Sequence, residues 1–74
     1  MTNQEPTTKR PSIVLRISEG SWIADMSGCA DAAEIRALFG TTDIVTPWSA
    51  TAPAAGVRAQ IAARNPGCTV TVLR

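Results

Sequence analysis

The 74-residue chain carries seven Lys and Arg against six Asp and Glu, a net charge of +1, and has no His. That length allows one domain, whose core can supply only about 3–5 kcal/mol of net stability. The lack of His removes Ser-His and Cys-His nucleophile activation and His-ligated zinc, and no apolar run is long enough to span a bilayer.

The opening "MTNQEPTTKRPS" has no apolar periodicity and two Pro; residues 1–11 read as a disordered tail before one domain over 12–74. It lacks the apolar stretch of a signal peptide, which makes the cytoplasm the default compartment. "SIVLRIS" and "SWIADMS" flank Glu19-Gly20, a hairpin signal. A two-residue loop pairs Ser18 with Ser21, Ile17 with Trp22, Leu15 with Ala24 and Ile13 with Met26. The last three pairs put their apolar side chains on one face. Val14, Arg16, Ile23 and Asp25 share the other, with Arg16 and Asp25 placed for a diagonal ion pair.

"DAAEIRALFG" reads as a short helix with Asp31 at the N-cap, Glu34 completing a capping box and Gly40 as the stop. Its expected core face is Ile35, Leu38 and Phe39. "DIVTP" can supply a short edge strand, because Pro47 cannot donate to a ladder. "TAPAAGVRAQIAARNPG" reads as a second helix, with Thr51 at the N-cap, Val57 and Ile61 in its apolar stripe, and Asn65-Pro66-Gly67 as the stop. Gly56 within it implies a close helix–sheet approach. "CTVTVLR" alternates as a final strand. The order ββα(β)αβ predicts an α+β two-layer sandwich, its sheet covered on one face by two helices.

Little chemistry remains. The glycines never cluster, and Cys29 and Cys68 form no C-x-x-C pair, so neither a phosphate loop nor a metal or redox motif is present. In a reducing compartment they read as two small buried thiols rather than as the alternative, a disulfide. Asp43 is the one acid without a structural task. The chain therefore reads as non-enzymatic, without cofactor or metal, and not associated with membranes. It reads as a binding protein whose partner is another protein or a second copy of itself. Candidate contacts are Trp48 and Pro47 in the connector, where Trp48 reads either as a lid folded back on the core or as a partly exposed contact residue, and Val14 and Ile23 on the outer sheet face. The alternative is weak nucleic-acid binding through Arg58, Arg64 and Arg74; these lack the density of a phosphate-tracking stripe.

The segments "WIADMSG", "LFGTTDIVTPW" and "NPGCTVTV" give a further pointer. With them the chain resembles small uncharacterised bacterial proteins carrying a Leu-Phe-Gly-Thr segment, a Thr-Pro-aromatic turn and an Asn-Pro-Gly before a last strand. The resemblance covers residues 13 to 73. It implies a shared fold and no activity.

Overall fold

The computed structural model describes residues 11–73; the tail expected over 1–11, apart from Pro11, and Arg74 lie outside them. Six elements follow one another: β1 (Ser12–Ser18), β2 (Ser21–Gly28), α1 (Ala32–Phe39), β3 (Asp43–Ser49), α2 (Ala54–Arg64) and β4 (Thr69–Val72). The four strands make one sheet in the order β3-β2-β1-β4, with β1 and β4 parallel and the other pairs antiparallel. The α+β architecture and the ββαβαβ order are those expected.

The β1–β2 hairpin closes through Glu19 and Gly20, both at positive φ, the backbone of a tight turn that matches strand twist. Its register is the expected one from Ser18↔Ser21 to Leu15↔Ala24, then shifts by one residue between Val14 and Ser12. Pro11, assigned to the tail by composition, precedes β1 but is tied to the sheet, its carbonyl accepting the Thr69 amide at 2.9 Å. Strand alternation then builds the core. Ile13 and Leu15 are fully buried, packed with Trp22, Ala24, Val70 and the α2 residues Val57 and Ile61. Trp22, 3 % exposed, sends its indole N–H to the Ala52 carbonyl at 3.0 Å, so the connector before α2 is held to the core.

The two helices contribute unequally. α2 supplies Val57 and Ile61, whereas α1 buries none of its residues; Leu38 is 78 % exposed and Phe39 65 %. This corrects the expectation that Phe39 belongs to the core. The connection explains it. β2 and β3 are adjacent antiparallel strands, rejoined where the Met26 amide meets the Thr42 carbonyl at 2.8 Å. A two-turn helix inserted between their ends stays at the end of the sheet. Asp31 is its N-cap residue but makes no side-chain capping bond; Gly40 takes the left-handed stop as expected. α2 starts two residues later than Thr51 suggests, with Pro53 as N-cap.

Gly56 is not a close-approach glycine. A Cβ built there meets nothing within 4 Å, so its absence costs helix propensity with no packing return. Gly56→Ala is expected to stabilise the fold by about 0.5–1 kcal/mol, read as a higher urea midpoint at unchanged slope. A lower midpoint would show that the position carries a constraint the geometry does not contain.

A groove beside the edge strand

β3 runs two residues beyond the expected "DIVTP", through Trp48 and Ser49, and lies at one edge of the sheet. Its pairing with β2 shifts between Ile23↔Val45 and Ser21↔Ser49, leaving extra backbone on the β3 side. Thr46 repairs the gap. Its buried hydroxyl donates to the Trp22 carbonyl at 2.7 Å and accepts the Trp48 amide at 3.3 Å. The irregularity thus has its polar groups paired, and Trp48 is aimed at the helix side, where it packs half-buried against the core.

Between β3 and the C-terminal end of α2 lies a groove of about 330 Å³. Met26, Ile44, Trp48 and Ile61 give it apolar walls, and Pro47 and Arg64 stand at its rim. The Arg64 guanidinium sits 5.7 Å from the Trp48 ring centre, within cation–π range, and donates to the Gln60 side chain at 3.1 Å. Asn65 ends the helix beneath it by donating to the Ile61 carbonyl at 2.8 Å. A wider depression of about 540 Å³ opens beside Ile17, Trp22 and Leu73.

The edge beside the first groove is poorly suited to strand addition. The Met26–Thr42 bond and the register turn Thr42 and Ile44 toward β2, and Asp43, Val45 and Pro47 outward. The Asp43 amide is taken by the Thr41 hydroxyl at 3.0 Å, and Pro47 has no N–H. Val45 alone offers a free outward donor on this stretch. The groove can therefore hold side chains, while backbone pairing is blunted.

The outer sheet face differs from the expected apolar spot. Val14 is half-buried, but Ile23 is only 7 % exposed and presents no contact surface. Arg16 lies directly beside Ile23 in the ladder, yet its guanidinium pairs with Asp43, at 2.9 Å, on the strand beyond. To reach it the side chain must cross β2, and its aliphatic stem shields Ile23. This replaces the expected Arg16–Asp25 pair and gives Asp43 a structural task. Asp25 instead accepts the Ser27 amide at 3.0 Å; that bond above all, with the Arg16 charge adding a little, holds its carboxyl below the usual range. The apolar side chain left on this face is Val45, 66 % exposed.

The arginines of the nucleic-acid alternative do not converge. Arg58 donates to the Val70 carbonyl at 3.0 Å on the outward side of β4, while Arg64 lies over Trp48 of β3. These are opposite edges of the sheet. Arg74 lies outside the described residues.

Of the four expected contact residues, the structure brings together Trp48 and Pro47, and sets Val14 and Ile23 apart from them. The other groove walls, Met26, Ile44 and Ile61, were not expected as site residues. The alternation Ile44-Thr46-Trp48 was the signal that would have placed them on one face. Comparison with protein-family models, curated protein sequences and solved structures gave no match. No described helix is long and apolar enough to cross a membrane.

Proposed function

We propose that this chain is a non-enzymatic protein-binding module whose contact site is the groove between β3 and α2. The observation that carries the reading is Trp48, half-buried at the mouth of an apolar cleft in a chain that has only three aromatic residues. A domain so short of large side chains gains stability by burying each one, and a Trp left partly open beside Pro47 is the kind of anchor on which interface energy concentrates. Arg64 at the rim adds a cation. The fitting partner segment inserts a large apolar side chain between Trp48 and Ile44 and places a carboxylate against Arg64. Asp25 and Asp43 are engaged in structural bonds, and no acid among the described residues lines the groove, which supports binding over catalysis.

Selection of random linear peptides on the immobilised protein tests the site. The selected sequences are expected to share an apolar residue flanked by Asp or Glu. In a Trp22→Phe background Trp48 is the sole indole, and its emission should shift on binding. Trp48→Ala should abolish binding and Arg64→Gln weaken it several-fold, with circular dichroism showing both folded. Peptides that bind Trp48→Ala as well as the parent would sink the proposal. A concentration-dependent dimer by light scattering, lost in Trp48→Ala, would keep the groove as the interface but overturn a foreign partner in favour of a second copy.

A further inference from the structure

Cys29 and Cys68 are far apart in sequence, in the turns that follow β2 and precede β4. Both are free, half-buried and packed against the same core cluster. The topology accounts for the meeting. Ser12 of β1 pairs with Gly28 on one side and with Thr69 on the other, and the two cysteines are the residues next to that row. The Cys29 thiol lies over the start of β1, donating to the Ser12 carbonyl at 3.7 Å, and Cys68 is near enough to raise its pKa. A side chain at position 28 would collide with Ser12, so glycine there lets β2 come close enough to bring Cys29 across.

We propose that Cys29 and Cys68 form a reversible disulfide that staples the end of β2 to the start of β4 over the central strand. Both residues stand outside the paired rows, so turns rather than ladders move as the sulfurs close to bonding distance. With a peroxide as oxidant, one thiolate attacks a peroxide oxygen, giving a sulfenic acid and releasing hydroxide, which takes up a proton to become water. The second thiol then attacks that sulfur, and its proton leaves with the departing oxygen as another water. Both sulfurs lose one electron to the peroxide, and a dithiol reductant reverses the change. Burial above all, with the neighbouring Cys68, Asp31 and Asp25, holds the Cys29 thiol above its ordinary pKa, so oxidation should speed up as the pH is raised. The bond closes the long loop 29–68, the case in which a crosslink most restricts the unfolded chain.

The test is hydrogen peroxide treatment of the folded protein followed by intact mass measurement without reductant. The expected product is a monomer lighter by two hydrogens, with no thiol left to alkylate, restored by dithiothreitol. Its melting temperature should rise by roughly 10 °C or more. Cys29→Ser and Cys68→Ser should each give no such species. Overturning results are a parent that yields only intermolecular dimers or singly oxygenated thiols, or an internal disulfide that lowers the melting temperature. Should Cys29→Ser fail to fold, Cys29→Ala serves the same control, because the Ser12 carbonyl bond is the one polar contact the thiol makes with the backbone.

Discussion

Trp22→Ala should leave most of the chain unfolded at 25 °C. The indole is almost wholly enclosed by β1, α2 and the Ala52 connector, and truncating a buried Trp costs about 3–5 kcal/mol. A core of this size supplies a net stability of the same order, about 3–5 kcal/mol, so nothing remains in reserve. Trp22→Phe divides the effect into its parts. It keeps most of the apolar area and removes the N–H that the Ala52 carbonyl accepts, an expected loss of about 1 kcal/mol and a melting temperature lower by about 4–8 °C. Circular dichroism with urea titration reads both. A cooperative Trp22→Ala transition near the parent midpoint would show that the core tolerates the cavity, against the packing described.

Thr46→Val should cost about 1–3 kcal/mol although it keeps the side-chain shape. One hydroxyl serves the Trp22 carbonyl and the Trp48 amide at the point where the β2–β3 register slips. Val leaves both without that partner in a site 92 % withdrawn from solvent, Thr46 being 8 % exposed. Thr46→Ser retains the hydroxyl and should lose less. Amide exchange supplies a local readout: the Trp48 N–H should exchange faster in Thr46→Val beyond the change expected from global stability. Equal exchange in the Val and Ser variants would mean that the hydroxyl does not hold the strand. Because the same bond positions Trp48, Thr46→Val should also weaken peptide capture at the groove.

The hairpin was legible because Glu19-Gly20 fixes its register, and alternation then puts Ile13, Leu15, Ile17, Trp22, Ala24 and Met26 on one side and Val14 and Ile23 on the other. β4 and α2 were legible for the same local reasons: period-two Val against Thr, and an apolar stripe ended by Asn-Pro-Gly. α1 shows where local pattern stops. Ile35, Leu38 and Phe39 have the spacing of a buried face, but burial depends on where the connections place the helix, and the short returns at Cys29 and Thr42 hold it at the end of the sheet, with Leu38 and Phe39 exposed. Arg16 teaches the same lesson about ion pairs. On the strands of the hairpin Asp25 was its only candidate, and Asp43 became available only once β3 was known to lie beside β2. At the site, Trp48 and Pro47 could be singled out by composition. The groove itself needed the strand extension through Ser49, which a Pro in the run concealed. The meeting of Cys29 and Cys68 required the parallel pairing of β1 with β4, a long-range fact that no local spacing encodes.

That parallel pairing also orders the events of folding. β1, the strand that carries both fully buried sheet residues, Ile13 and Leu15, is flanked by β2, made immediately after it, and by β4, made after all the other elements. During synthesis the β1–β2–β3 meander can form while one side of β1 still presents bare amides and carbonyls. Until Thr69–Val72 arrive, the central strand is itself an edge, and the nascent chain passes through a stage more prone to mispairing than the finished protein. Slow completion of this last pairing, rather than formation of the hairpin, should limit how fast the molecule becomes resistant to proteases.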